Sequence, residues 1–128
     1  MSRVYYNKLV RDLIKDKIES KGEVCEVREI TDDKELEQEL FKKIVEEATA
    51  LSRSHTREEF LSEYADLMVV LDALTATLGF SEAEIKVAIE ENVEKKGFFH
   101  QKHFLHWSDD KGYTSNETPQ GINDDPIP

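Results

Sequence analysis

The chain has 128 residues, with 17 Lys and Arg against 28 Asp and Glu and a net charge of −11, which excludes sequence-independent binding to a nucleic-acid backbone, a task for clustered cations. The length sets one domain with a small core, and the single cysteine, Cys25, allows neither an intrachain disulfide nor a thiolate zinc site, so a reducing interior, the cytoplasm, is expected. No apolar stretch approaches the roughly 20 residues of a membrane span, and the start Met1-Ser2-Arg3-Val4 lacks the apolar core of a signal peptide, so neither insertion nor export is expected.

In chain order, Leu9, Leu13, Ile14 and Ile18 share one side of a first helix predicted over about Lys8 to Ser20, with Gly22 placed to stop it. Weak alternation of Val24, Cys25, Val27 and Ile30 then predicts a short extended segment covering the helices. Thr31, followed by Asp32 and Asp33, reads as an N-cap opening a second helix that runs to about Ser52. After the polar break Arg53-Ser54-His55, Thr56-Arg57-Glu58-Glu59 reads as a capping box for a third helix ending near Gly79, with Phe60, Tyr64, Leu67, Leu71, Leu74 and Leu78 as its seam. Ser81-Glu82-Ala83-Glu84 is a second capping box, starting a fourth helix with Ile85, Ala88, Ile89, Asn92 and Val93 inward and Gly97 as its stop. An aromatic and histidine patch from Phe98 to Trp107 gives way to a polar tail too poor in apolar surface to order itself. The expectation is therefore an all-α domain over residues 1–107 with a flexible acidic tail over 108–128. Because Ala65, Met68, Val69 and Val70 make the third helix apolar beyond one stripe, it should be central or shared, which predicts a four-helix, bundle-like fold completed by a homodimer or homotetramer.

The chemistry lies in acids that break apolar stripes. Leu40, Ile44, Glu47 and Leu51 are spaced four, three and four, so Glu47 points toward the packed side, and on the next helix Glu63 and Asp66 border the seam. Residues three apart project side by side, so Glu63 and Asp66 can share a cation that Glu47 approaches from the facing helix, and a hard divalent ion such as magnesium suits oxygen donors. A solvated charged face is the alternative, favoured for Glu46, which lies opposite Ile44, and weaker for Glu47, since an unpaired carboxylate on a packed stripe costs several kcal/mol. Lys8 and Arg11 sit three apart at the predicted first helix N-terminus, where phosphate is favoured, although on spacing alone surface solubility is the better reading of them. Asn92, Lys95 and Lys96 are placed to reach a nucleotide, though Lys95 and Lys96 are also ordinary C-terminal dipole partners. His100, His103 and His106 lack a completing cysteine or acid and read as exposed or packing residues rather than zinc ligands.

Taken together, Tyr6-Asn7-Lys8-Leu9-Val10-Arg11-Asp12, Glu46-Glu47, Glu63-x-x-Asp66 and Lys95-Lys96-Gly97-Phe98 resemble the all-alpha nucleoside triphosphate pyrophosphohydrolases, the MazG and phosphoribosyl-ATP pyrophosphohydrolase-like group, over about Asn7 to Phe99. The resemblance implies magnesium-dependent, or manganese-dependent, attack of water between the α and β phosphates of a nucleotide, yielding a monophosphate and pyrophosphate. It implies Glu47, Glu63 and Asp66 as metal ligands, Glu46 as the residue positioning water, and Lys8 and Arg11 as partners of the leaving pyrophosphate. In one place the chain departs from the pattern: the last acid of the family's Glu-Glu-x-x-Glu falls on Ala50, which ligates nothing. The competing expectations are a helical module that binds nucleotide or a partner protein without turnover, and a purely structural oligomerisation domain.

Overall fold

The computed structural model describes residues 2–110 and is all-α, with four helices: α1 (Ile14–Ser20), α2 (Asp33–Ser52), α3 (Arg57–Thr77) and α4 (Glu82–Lys96). The expected flexible tail falls mostly on residues outside this range. The chain divides into one unit ending at Val87 and a second beginning at Ala88, the boundary lying inside α4.

Local chemistry sets most helix ends. Thr56 Oγ1 accepts a hydrogen bond from the Glu59 amide at 3.0 Å, while the Glu59 carboxylate reaches back to the His55 amide rather than to Thr56 itself. At α4 the box closes as expected: the Glu84 amide donates to Ser81 Oγ at 3.1 Å, and the Ser81 amide donates to the Glu84 carboxylate at 3.2 Å. Gly79 and Gly97 follow α3 and α4 with φ of 83° and 74°, a left-handed turn that a side chain would oppose. For α2 the cap is Asp32, not Thr31, its carboxylate accepting from the Lys34 amide.

The first helix is much shorter than expected, beginning at Ile14 instead of Lys8. Asn7 has a φ of 47°, Arg11 closes a turn through its carbonyl onto the Ile14 amide, and Leu13 at the N-cap has no side-chain oxygen to offer the free amides. Contacts distant in sequence outweigh helix propensity here. Leu9 packs against the core, and Lys8 and Arg11 pair with acids on α2 and α3. No strand forms among the described residues: the segment after Gly22 is irregular and is tied to α2 by the Arg28 guanidinium, which grips the Glu35 carboxylate with two nitrogens.

In the first unit the helix packing is between α2 and α3, joined by a short turn and therefore antiparallel neighbours. Leu40, Val70 and Leu74 are buried, and Leu9, Leu36, Ile44 and Ala73 pack around them. The α2 stripe is as the spacing predicts. On α3 the expected seam is covered in its middle, at Leu67, Leu71 and Leu74, and the covered surface extends sideways to Glu63, Asp66, Val70, Ala73, Thr75 and Thr77, while the ends of the seam, Phe60, Tyr64 and Leu78, are exposed, Phe60 and Tyr64 stacking on each other at 6.1 Å. The acids thus border the seam as expected and lie within the covered surface. On α4, Ile85 and Val93 are half-buried, but Ala88, Ile89 and Asn92 are exposed, contrary to the inward face expected for them.

With so few buried side chains the packing of α2 on α3 has little redundancy. Leu74→Ala should destabilise the protein by about 2–5 kcal/mol, the usual range for deleting a buried leucine, read as a fall in the urea midpoint without a change in m.

Candidate functional site

Because α2 and α3 are antiparallel, the stripe that brings Leu40 against Val70 and Leu74 brings Glu47, two turns further along α2, to a point one to two turns earlier on α3. There the carboxylate oxygens of Glu47, Glu63 and Asp66 lie within 4.8 Å of one another, all three residues half-buried. Oxygens on opposite sides of an octahedral magnesium are about 4.2 Å apart, twice its bond length, so small side-chain rotations bring this donor set to the size of such an ion. Three carboxylates and no sulfur or imidazole are the donor chemistry of a hard cation. The residues present fit magnesium, and they fit manganese by the same donors.

Three cations border the acids. Lys8 Nζ lies 2.7 Å from Glu46 Oε1, Lys43 Nζ lies 3.1 Å from Glu46 Oε2 and 3.5 Å from Glu47 Oε1, and Arg11 approaches Asp66 at 3.7 Å. Glu46 is therefore not on a free solvated face, as its position opposite Ile44 had suggested. It is half-buried, with the Lys8 and Lys43 side chains against its two oxygens. Lys8 and Arg11 do come beside the acids, but from an irregular segment, so the helix N-terminus expected to support phosphate there does not exist. With Glu46, Glu47, Glu63 and Asp66 against Lys8, Arg11 and Lys43, the cluster carries a formal charge of −1. One divalent cation would turn it to +1, a field suited to a phosphate chain.

Lys43 is the residue that sequence reasoning missed. Its side chain is only 12% exposed, on the same stripe as Leu40 and Glu47, and the one signal for it is a lysine one turn before Glu46-Glu47 at a position the apolar period claims. Ala50 follows on the next turn and is half-buried. Asn92, Lys95 and Lys96 lie on α4 in the second unit, all exposed, the two lysines in its last turn. His100, His103 and His106 are exposed, His100 beside the Phe98 ring and His106 edge-on to Phe104, and none joins a group of metal donors among the described residues.

The Lys8 hydrogen bond holds the Glu46 carboxyl below the usual carboxylate range, Lys43 adding to it, and the Glu46 partner raises Lys8 above the usual lysine value. A lowered acid stabilises above its unfolded pKa and loses that contribution as the pH falls through the folded value; a raised lysine stabilises below its unfolded pKa and loses it as the pH rises through the folded value. The pair therefore contributes on the plateau between the two ordinary ranges. Both side chains are about two-fifths exposed, so screening limits the effect: Glu46→Gln should cost no more than about 1 kcal/mol at neutral pH. That difference should vanish in acid, below the carboxylate range, in parallel denaturation curves.

No family model matches the chain, and no curated protein or solved structure matches it.

Proposed function

We propose that this protein is a magnesium-dependent nucleotide pyrophosphohydrolase, cleaving between the α and β phosphates of a nucleoside triphosphate or related nucleotide to give a monophosphate and pyrophosphate. The observation that carries the proposal is the convergence of Glu47, Glu63 and Asp66 from two helices onto one ion-sized space. The likeness of the Lys8 to Asp12 segment and of the acidic motifs to the MazG-like group agrees with it.

In this reading Glu47, Glu63 and Asp66 would hold the cation, which would supply polarisation of phosphoryl oxygens and a lowered pKa for water. Glu46 orients the attacking water. Its two lysine partners use one lone pair on each oxygen, and an ionised carboxylate has about four such sites, so acceptor capacity remains while the lysines fix its direction. Lys8 and Arg11 neutralise charge as pyrophosphate leaves; Asn92, Lys95 and Lys96 are further candidates for contact with the nucleotide. The catalytic form is a cytoplasmic homodimer or homotetramer, which would complete a helix bundle. Phe60, Leu61 and Tyr64 on α3 and Phe41 and Val45 on α2 are exposed in the single chain, an apolar surface of the kind that subunit contacts cover. No single described helix is long and apolar enough to cross a membrane.

The alanine at position 50 favours a second reading, a nucleotide-binding module with weak or no turnover. Magnesium commonly keeps several waters and needs few protein carboxylates, so binding without efficient hydrolysis is consistent with the residues present. It would show as thermal stabilisation by nucleotide with no product released.

Two substitutions separate these readings in an assay of pyrophosphate release from common and modified nucleoside triphosphates with magnesium or manganese. Glu63→Gln should lower the rate about 10- to 100-fold; an unchanged rate at saturating magnesium removes Glu63 from the mechanism. Ala50→Glu, which restores an acid one turn beyond Glu46, should raise release or lower the magnesium requirement by about tenfold if the missing donor limits turnover.

A further inference from the structure

Beside the acids, a cleft of about 250 Å³ opens between the segment preceding α1 and the packed pair α2 and α3. Leu36, Leu40, Val70 and Ala73 form its floor, and Leu9 and Val10 form the wall contributed by the irregular segment. Arg11, Asp12 and Lys43 stand around it. Two of these are shared with the acidic cluster: Arg11 is the partner of Asp66 at 3.7 Å, and Lys43 the partner of Glu47 at 3.5 Å. Three chemistries therefore follow one another across a short distance, carboxylates, then cations, then an apolar hollow. A ligand matching that order has a metal-binding anionic chain joined to a flat, weakly polar group. The hollow is smaller than the roughly 300 Å³ at which pockets for drug-sized ligands begin, so it suits one ring system and leaves sugar and phosphates outside.

We infer that this cleft receives the nucleobase of the substrate, with Arg11 and Lys43 set between base and metal, where the phosphate chain passes. The inference rests on the proposed pyrophosphohydrolase function and deepens it. The apolar floor reads a base by size and shape, while Arg11, Asp12 and Lys43 at its margin are the groups able to hydrogen-bond its edge.

The test compares binding of two probes to the full-length protein in magnesium, a nucleoside triphosphate with a methylene bridge between the α and β phosphates and inorganic tripolyphosphate. The nucleotide analogue should bind at least tenfold more tightly. Val69→Trp, at a half-exposed position lining the cleft, should remove that advantage and leave the tripolyphosphate affinity unchanged. Val10→Trp, outside any helix, should do the same and guards against misfolding of the first variant, while Val24→Trp, at a fully exposed position outside any helix and outside the cleft, should change neither affinity. Equal affinity for the two probes, or an advantage that survives both cleft variants, overturns the cleft assignment and leaves the proposed hydrolase standing. Failure of both probes to bind in magnesium overturns the two together.

Discussion

Two antiparallel helices packed along one stripe must keep that stripe in register for its whole length, and here the stripe changes chemistry partway. Leu40 against Val70 and Leu74 fixes the separation of α2 and α3, typically 8–10 Å between axes for packed helices. Glu47, Glu63 and Asp66 occupy the next turns of the same surfaces and inherit that separation. A carboxylate on a loop would swing into water to escape its neighbours. Here the packed helices fix the backbone positions from which the acids project, and Glu47 is nearly covered while Asp66 keeps access to water. The convergence of charge is thus imposed by apolar contacts a turn or two away, which is how a small core can maintain a site more polar than itself.

Held that close, the carboxylates need compensation, since a half-buried anion without a partner costs several kcal/mol. The chain supplies it from two directions. Lys43 comes from α2 itself and is nearly covered, whereas Lys8 and Arg11 come from an irregular segment that Leu9 anchors to the core. An irregular backbone serves this purpose better than the helix expected there. On a continuous helix Lys8, Leu9 and Arg11 would project over a broad arc, but here the lysine reaches α2, the leucine enters the core and the arginine reaches α3.

Much of this was legible in the residues. Glu47 could be placed because its stripe is otherwise apolar and therefore has an unambiguous phase, and the starts of α3 and α4 could be placed because Thr56 and Ser81 precede a glutamate at the third position. The phase of α3 was not legible. Its apolar residues extend over several stripes, so the sequence allowed Phe60 and Tyr64 inward as readily as Glu63 and Asp66, and only packing against α2 decides between them. The segment from Lys8 to Leu13 was misread for a related reason: helix propensity is a local quantity, and the ion pairs that override it join residues nearly 40 and more than 50 positions apart. Lys43 escaped notice because a lysine on an apolar stripe ordinarily extends its charge to water, although the two acids that hold it stand three and four residues on, the helical spacing for such pairs.

Ala50 acquires a physical meaning in this setting. It follows Lys43, Glu46 and Glu47 on one face of α2 and is half-buried with Leu51, so the apolar contact resumes one turn after the acids. An acid at that position would add a negative charge to a cluster already at −1, with no further cation beside it among the described contacts. The apo protein would then depend more heavily on a bound metal to keep α2 against α3. With alanine the two helices close without that dependence, and under the proposed function a bound cation would meet fewer donors. In that reading, tolerance of the metal-free state and strength of metal binding are opposed at this single position.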